Sequence, residues 1–335
     1  MTTKNAIEAA IPMIKNLQIR NFKSIKNLDL ECERINLFIG EPNTGKSNIL
    51  ETLGILSFSK YGSITDFVRI ESMSDLFYDE NLDEKITISA DDTVLEITFA
   101  KERFIGRCYK KELNERILFS FDFDYNGRGN VNYGDAAIPI KFYKFSPLKE
   151  FRQRDAEALR PPFGENLYTV LRTHKNSREE AIKIFEPLGL KLVFRHQEIK
   201  IEIMKQQEDF VVTYPYSLAS DTLQRIIFYA TAINSNKDSI LVFEEPESHT
   251  FPYHTKSLGE KIAFDDTNQY FIATHNPYLL LAILEKAKKS SVNVFVTYFK
   301  DYQTEIKRLT SEQISELMNY DPFFNLEAFI EEDKE

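Results

Sequence analysis

The first sixty residues contain three strand-like segments, then a glycine-rich loop and an amphipathic segment. Apolar and polar residues alternate over residues 14–22 and 24–30, and residues 34–39 form a short apolar run that stops at Gly40. Such alternation and short apolar runs are typical of strands. Residues 47–57 instead carry apolar side chains three and four positions apart, on one face of a helix. The pattern predicts a strand, a glycine loop and a helix in that order.

The middle of the chain changes from strand-like to helical patterning and back. Residues 85–125 contain segments that alternate with period two. Residues 147–186 look helical around a Pro-Pro pair at 161–162, and residues 190–204 return to alternation. We interpret residues 60–210 as an antiparallel β-meander with a helical insertion.

The last third of the chain alternates between helical and strand-like segments. Helical patterns at residues 220–234 and 254–263 are interleaved with the apolar runs 239–243 and 270–273. Such alternation indicates a parallel sheet with helices on both faces. We therefore predict an α/β fold.

The composition fits a globular protein of a reducing compartment. The chain has 335 residues, 42% of them apolar and 13% aromatic, which is enough for a large core. Its net charge of −10 argues against a uniformly basic nucleic-acid-binding surface. Cys32 and Cys108 are too few for a disulfide framework or a four-cysteine zinc site. No segment approaches the roughly 18 to 20 apolar residues of a membrane span, and residues 1–10 lack a signal-peptide layout, so we expect a cytoplasmic protein without membrane contact.

The glycine-rich loop carries the first candidate chemistry. Two glycines five positions apart are followed by a lysine and a hydroxyl residue, between a predicted strand and a predicted helix. The eight residues are Gly40, Glu41, Pro42, Asn43, Thr44, Gly45, Lys46 and Ser47. Glycines let backbone amides meet phosphate oxygens, Lys46 would reach the β- and γ-phosphates, and Ser47 would bind magnesium. The alternative is an ordinary glycine turn before a helix.

Two later apolar runs end in residues suited to the same chemistry. Residues 239–243 lead to Glu244 and Glu245. We expect Glu244 to hold magnesium through water and Glu245 to polarise an attacking water, whereas the alternative is a solvated acidic turn. Residues 271–273 lead to His275, which would stand at the same sheet edge as a sensor of the γ-phosphate. The alternative there is a satisfied surface or core histidine.

Together these segments resemble the ABC-type ATPases of the RecF, SMC and OLD group, and in particular standalone AAA family ATPases of bacterial defence loci. Residues 14–25 look like the first strands of that group, and residues 40–48, which include Asn48, look like its Walker A loop. Residues 243–247 resemble its Walker B motif and D-loop, and residues 273–277 resemble its switch-histidine segment. The resemblance implies ATP and Mg²⁺ as cofactors.

The resemblance also implies an ABC-ATPase head with a parallel core sheet, an antiparallel β subdomain and a helical insertion. In this division, residues 1–58 and 211–300 form the nucleotide-binding core of a single domain that spans residues 1–335. Residues 60–210 supply the β-meander and the helical insertion. Residues 301–335 form a C-terminal helical tail with a solvated acidic end.

The main departure from the family pattern lies in its signature motif. The family places a Leu-Ser-X-Gly-type sequence at a helix N-terminus, where it clasps the γ-phosphate of the opposite subunit, and residues 216–225 correspond to it here. Ala219 stands at the usual serine and Asp221 at the usual glycine. An aspartate facing phosphate would be repulsive unless it caps its own helix. We expect Ser217 or Ser220, or a partner, to supply the contact.

Three smaller points complete the comparison with the family. Glu244 replaces the usual Walker B aspartate and keeps its charge. Gln153 is too far along the chain to be assigned as the Q-loop glutamine. His249 and His254 lack a ligand cluster of zinc-type spacing, so we expect both on the surface.

The rest of the sequence leaves three functional hypotheses. About sixty residues follow His275, too few for the TOPRIM nuclease of OLD-type proteins, and residues 60–210 lack the long heptads of SMC or Rad50 arms. The first hypothesis is a nucleotide-dependent switch that forms a homo-oligomer, as an ATP-sandwich dimer or higher, with a separate effector in an antiphage defence complex. The second is a RecF-like DNA repair ATPase that binds nucleic acid through the basic, aromatic stretch at residues 141–154, for which a solvated surface is the simpler interpretation. The third is a pseudo-ATPase scaffold, because the signature is altered.

Overall fold

The computed structural model describes residues 13–111, 116–134, 138–319, 323 and 326–331. Across these ranges the strands are β1 (Asn16–Phe22), β2 (Ile25–Glu31), β3 (Ile35–Gly40), β4 (Ile86–Ala90), β5 (Thr93–Ala100), β6 (Arg103–Lys110), β7 (Arg116–Phe123), β8 (Gly129–Tyr133), β9 (Ile140–Tyr143), β10 (Leu190–Arg195), β11 (Lys200–Gln207), β12 (Phe210–Pro215), β13 (Ile240–Glu244), β14 (Gln269–Ala273), β15 (Val292–Lys300) and β16 (Gln303–Arg308). The helices are α1 (Lys46–Tyr61), α2 (Ile64–Phe67), α3 (Leu167–Thr173), α4 (Lys175–Phe185), α5 (Asp221–Ser235), α6 (Pro252–Phe264), α7 (Pro277–Lys286), α8 (Ser311–Leu317) and α9 (Leu326–Glu331). The polar start at residues 1–10 and the acidic residues 332–335 lie outside the described residues.

A central sheet of six strands is the core of the described chain, in the order β16-β15-β3-β14-β13-β9. The five strands from β15 to β9 run parallel, and β16 pairs antiparallel with β15 at the edge. Every residue of β3 and β14 is buried, which parallel strands covered on both faces require. The α/β fold with a parallel core sheet, expected from the sequence, is confirmed.

Alternate side chains of the central strands enter two different apolar clusters. Phe38 of β3 and Val242 of β13 pack with α1 on one face. Leu37 and Ile39 of β3 and Phe243 of β13 pack with α5, α6 and α7 on the other face. The two clusters follow from the two-residue period of a strand that is buried on both sides.

Helix α1 lies between the central sheet and a second, antiparallel sheet in the order β2-β1-β4-β5-β6-β7-β8. The sequence pattern predicted one apolar face for this helix, but nearly all of its middle is buried, including Glu51, Thr52 and Ser57. A helix that is covered on two sides is buried around most of its circumference. Its polar side chains therefore require hydrogen-bond or ion-pair partners inside the protein.

The observed architecture corrects the predicted division of the chain in three places. Strands β1 and β2 pair with β4 in the antiparallel sheet and do not belong to the core sheet. Strand β9, from the predicted insertion, is the edge strand of the core sheet beside β13. The segment 301–335, predicted as a helical tail, begins with β16. In the first two cases the apolar pattern was short, and pairing with a strand distant in sequence decided its place.

The tight turn between β15 and β16 explains why that hairpin was missed. Lys300 pairs with Gln303, and the two residues between them, Asp301 and Tyr302, have φ values of +50° and +62°. Two consecutive left-handed residues form the hairpin turn that matches strand twist, and its usual sequence signal is Asn-Gly or Asp-Gly. Asp-Tyr carries no such signal.

The predicted helical stretch 147–186 is helical only from α3 onwards. The residues before it form an irregular segment held by the buried side chain of Asn166. That amide accepts a hydrogen bond from the Arg160 backbone N–H and donates to the carbonyl oxygens of Asp155 and Ala158. Helix α4 packs against α5, and the small sheet β10-β11-β12 lies next to them. Within the described ranges, no helix has both the length and the apolar content needed to cross a membrane.

Candidate nucleotide-binding site

The carboxyl ends of β3, β14 and β13 lie side by side at one edge of the central sheet. Phe38 is the register partner of Ala273, and Ala273 is the partner of Glu244. The Thr274 backbone N–H donates to Phe38, and the Glu245 backbone N–H donates to Ala273 at 3.0 Å. The structure therefore brings together the three motif regions that the sequence placed at strand ends.

The glycine loop has a backbone that only glycine accommodates at its two ends. Gly40 has φ +146° and Gly45 has φ +96°. A Cβ atom at Gly40 would lie 2.3 Å from the Thr297 carbonyl oxygen, and one at Gly45 would lie 2.0 Å from Oγ1 of Thr304. Both positions combine a positive φ with a close neighbour, the Thr297 backbone at Gly40 and the Thr304 side chain at Gly45, so the glycines are required for this loop shape.

Lys46 is the buried cation at the centre of the loop. Its Nζ donates to the carbonyl oxygens of Gly40 at 2.9 Å and Glu41 at 2.6 Å. Burial lowers the pKa of Lys46 to about 8, and the carboxylates of Glu245 and Glu41 oppose that shift. The side chain thus folds across the loop and keeps its ammonium inside it.

Helix α1 begins at Lys46 with Gly45 at its N-cap, and no side chain caps it. The first-turn amides of a helix carry partial positive charge and bind anions well. Phosphate oxygens are bound by such features: a glycine loop, a buried ammonium and a helix N-terminus that no side chain caps. The residues present therefore fit a nucleotide phosphate chain.

Hydroxyl and amide side chains hold the loop in place. Thr44 donates to the Glu41 carbonyl oxygen at 2.8 Å and shares a 2.7 Å hydrogen bond with Thr297. Asn48 donates to Ser24 at 2.7 Å, and Ser24 contacts Thr304 at 2.6 Å. No sequence signal marks Ser24, Thr297 or Thr304, because the turn after β1 and the strands β15 and β16 reach the loop only through the tertiary fold.

Glu244 lies at the end of β13 among basic side chains. Its carboxylate is 3.5 Å from the guanidinium of Arg69 and 3.9 Å from Nζ of Lys144. Arg69 also donates to Glu51 of α1 at 3.0 Å, and Glu51 in turn pairs with Lys23. This chain of alternating charges was not visible in the sequence, since no motif marks Arg69 or Lys23.

Glu245 and His275 face each other across the sheet edge. Nε2 of His275 lies 3.4 Å from Oε1 of Glu245, and Ser248 donates to the other carboxylate oxygen at 3.0 Å. Glu245 has φ +43°, a conformation that is uncommon for a non-glycine residue and recurs at active sites as well as in turns. Burial and the charge of Lys46 lower the pKa of His275, and Glu245 partly opposes them. The imidazole is therefore held toward its neutral form.

Glu247 is a buried carboxylate that the sequence analysis assigned no role. It accepts hydrogen bonds from the Thr274 hydroxyl at 2.5 Å and from the His275 backbone N–H at 3.3 Å. Burial is the largest cause that raises its pKa to about 7, and the charge of Glu245 adds to it. A third acidic residue close after an acidic pair is typical of a solvated turn, so the burial of Glu247 becomes visible only in the folded structure.

The signature segment begins α5 beside the loop that follows β13. Ser220 caps α5 by accepting from the Leu223 backbone N–H at 3.4 Å, and the Thr222 hydroxyl donates to the His249 carbonyl oxygen at 2.7 Å. The Asp221 carboxylate turns along the helix to Arg225 at 3.4 Å. The cap that was considered for Asp221 is thus supplied by Ser220.

The structure also shows the surroundings of Ser217, His249 and His254, three other residues that the sequence analysis named. The Ser217 carbonyl oxygen accepts from Gln224 at 3.4 Å. His249 is exposed, and the ring of His254 contacts Tyr253. Among the residues that the structure describes, no three histidine, cysteine or acidic side chains cluster as a metal site would require.

The basic, aromatic stretch at residues 141–154 is divided between the core and the surface, where Lys149, Arg152 and Arg154 are exposed. Phe142 and Tyr143 of β9 are buried, and Lys141 pairs with Asn236. These rings are not available to stack on bases, so the nucleic-acid interpretation of this stretch loses its aromatic component. The solvated-surface interpretation is also wrong for β9.

Comparison with known proteins agrees with this geometry. The fold is that of SMC head domains: an SMC head bound to the C-terminal winged-helix domain of ScpA superimposes with a TM-score of 0.55 at 16% identity, covering 91% of this chain and 100% of that one. An SMC head with an extended coiled coil, bound to a ScpA domain derived from Pyrococcus furiosus, superimposes with a TM-score of 0.52 at 14% identity, covering 91% and 98%.

The sequence itself identifies the family. Residues 13–185, just over half of the chain, match the family described as AAA ATPase domain, and the chain belongs to that family. A 48-residue segment is 44% identical to the DNA replication and repair protein RecF of Clostridioides difficile strain 630, covering 14% of this chain and 13% of that protein. The chain is thus a member of the AAA ATPase domain family with the fold of SMC head domains.

The first prediction concerns the buried charge chain behind the site. Glu51→Gln leaves the largely buried ammonium of Lys23 without its carboxylate, since only 12% of that side chain is exposed. Breaking a buried pair on one side costs about 3 to 5 kcal/mol, so chemical denaturation should show a loss of that size. Glu285→Gln makes the same change at an exposed position of α7 and should alter stability by less than about 0.5 kcal/mol. Equal effects of the two changes would contradict the assignment.

The second prediction uses the raised pKa of Glu247. Between the ordinary carboxyl value and about 7, the folded protein keeps a proton on Glu247 that the unfolded chain has lost, so stability falls as pH rises. Gln cannot ionise and keeps the acceptor oxygen. The melting temperature of Glu247→Gln minus that of the wild type should therefore rise from about pH 4.5 to about pH 7 and then level off. A difference that does not change with pH would show that Glu247 ionises normally.

Proposed function

We propose that this protein binds ATP with Mg²⁺ at the shared sheet edge, hydrolyses ATP, and uses the nucleotide as a switch for assembly. The observation that carries the proposal is the glycine loop around buried Lys46, placed at the same edge as Glu245 and His275. The family supports nucleotide binding.

The loop residues 40–48 would hold the phosphates. Lys46 would exchange its contacts with two loop carbonyls for the β- and γ-phosphate oxygens, and the amides at the start of α1 would add hydrogen bonds. Ser47 and Glu244 are the residues that would hold Mg²⁺. The metal would neutralise charge on the phosphates. Arg69 and Lys144 lie beside Glu244, so a bound metal would compete with these two cations for the carboxylate.

Glu245 is the proposed general base. It would accept a proton from a water whose oxygen attacks the γ-phosphorus, while the bond from that phosphorus to the ADP oxygen breaks. The products are ADP and inorganic phosphate. His275, held neutral at 3.4 Å, would orient the Glu245 carboxylate without protonating it.

The switch requires a second surface for the γ-phosphate. Helix α5 presents an N-terminus whose Ser220 and Ser217 belong to the altered signature, and we propose that this segment of one copy faces the loop of another. The Asp221–Arg225 pair reduces the repulsion that Asp221 would exert on phosphate. SMC heads of this fold were solved bound to ScpA domains, which supports a separate partner protein for this chain.

We propose an antiphage defence complex with a separate effector as the setting, in a cytoplasm that would keep Cys32 and Cys108 as the free thiols they are here. The alternative is a DNA-linked ATPase, which the 48-residue match to RecF favours. Duplex DNA that stimulates ATP turnover would support the alternative. An adjacent effector gene, with no DNA response, would support the defence role. A scaffold without turnover is the third possibility.

Lys46→Ala tests nucleotide binding. Losing charge-assisted hydrogen bonds to the phosphates should weaken ATP binding by about 10- to 100-fold in equilibrium titration with a labelled nucleotide. Lys191→Ala, an exposed lysine of β10, should leave the affinity unchanged. Undiminished affinity in folded Lys46→Ala would overturn the proposed phosphate site.

Glu245→Gln tests catalysis and assembly together. The amide keeps the shape but cannot accept a proton, so turnover should fall by about 100-fold or more while ATP affinity stays within about twofold.

In the presence of ATP, the Glu245→Gln variant should form a dimer, so light scattering should give twice the mass of the monomer. Glu84→Gln, at an exposed position, should behave as the wild type. A monomer at saturating ATP would refute the sandwich, and a dimer restored by Asp221→Gly would identify Asp221 as the obstacle.

A further inference from the structure

Glu247 connects the two loops that carry the proposed catalytic pair. It lies two residues after Glu245 in the loop that follows β13, and its side chain reaches the loop that follows β14. Only 4% of the residue is exposed. One carboxylate oxygen, Oε1, accepts both the Thr274 hydroxyl at 2.5 Å and the His275 backbone N–H at 3.3 Å.

These contacts fix the backbone on both sides of His275. The Thr274 hydroxyl that donates to Glu247 also accepts the Asn276 backbone N–H at 3.0 Å. Asn276 in turn caps α7 by accepting from the backbone N–H groups of Tyr278 and Leu279. The direction of the His275 side chain therefore depends on a single buried carboxylate.

The burial of the Glu247 carboxylate is unfavourable for the stability of the fold. The second oxygen of Glu247, Oε2, is buried with no hydrogen-bond partner among the described residues. Burying a carboxylate with one oxygen unpaired, close to a second carboxylate at Glu245, lowers stability. Local exceptions of this kind are expected at functional or strained sites.

We propose that Glu247 is a positioning residue that holds His275 against Glu245 and so sets the rate of the hydrolytic step. The inference rests on the proposed ATP hydrolysis. Because Glu247 contacts neither the glycine loop nor Lys46 in the structure's hydrogen bonds and ion pairs, it acts on turnover and not on nucleotide affinity.

Steady-state kinetics and equilibrium binding separate this role from a general structural one. Glu247→Ala should lower kcat by about tenfold or more, with the ATP dissociation constant within about twofold of the wild type. Glu247→Gln keeps an acceptor for Thr274 and His275 and should recover most of kcat. Thr274→Val removes the donor hydroxyl and should reproduce the kcat loss. Parallel losses of kcat and affinity in all three variants would overturn the proposal.

A double-mutant cycle shows whether the effect passes through His275. In a His275→Ala background, Glu247→Ala should have almost no additional effect on kcat, because the residue it positions is gone. An equally large loss in that background would refute the coupling.

The position of the His275 ring can also be measured without ATP turnover. The chain has five histidines, and the His275 ring signal can be assigned by NMR from its loss in His275→Asn. Glu247→Ala and Thr274→Val should shift this signal in the nucleotide-free protein, whereas Glu247→Gln should leave it nearly in place. A shift without any ATP turnover in the wild type would support the positioning contact and refute hydrolysis. An unmoved signal in Glu247→Ala would refute the positioning contact itself.

Discussion

The parallel pairing of β3 with β14, and of β14 with β13, determines where every proposed functional group lies. Parallel strands end at the same edge of a sheet, so the polar residues that follow β3, β13 and β14 meet there, although the end of β3 is more than two hundred residues from the ends of the other two strands. The pairing is stable because both faces of these strands are covered, by α1 on one side and by α5, α6 and α7 on the other. Without the helices on either face, the apolar strands would be exposed to water and the three strand ends would no longer be held together.

The same burial determines the electrostatics of the edge. Lys46, Glu247 and His275 all have pKa values shifted toward their neutral forms, and burial is the largest cause for each. Glu51 stays among apolar side chains because Lys23 and Arg69 pair with it. Charges in these buried surroundings are screened less than in water. A bound polyanion would therefore interact strongly with the ionisable side chains of this edge.

Local sequence signals predicted much of the site, and tertiary contacts account for what they missed. The glycine loop was predictable because its backbone shape needs Gly40 and Gly45 at fixed spacing. The acidic pair and the histidine were predictable because short apolar runs lead to them. Strand β9 was missed, since a four-residue segment that contains Lys141 and precedes Lys144 shows its burial only beside β13. Arg69 and Glu247 were missed for a related reason. Their roles arise from side chains on other elements, and neither lies in a pattern that reports those contacts.

The altered signature segment is compatible with an anion because of how Asp221 is held. Its carboxylate is 42% exposed and turns toward Arg225, one helical turn further along α5. The Arg225 guanidinium lies 4.5 Å from the centre of the Phe145 ring, and this contact fixes the cation beside the helix. Ser220 meanwhile caps the helix, and a hydroxyl that accepts one bond still has a hydrogen to donate. The positive end of the α5 dipole therefore stays directed outward, with the charge of Asp221 largely balanced within its own helix.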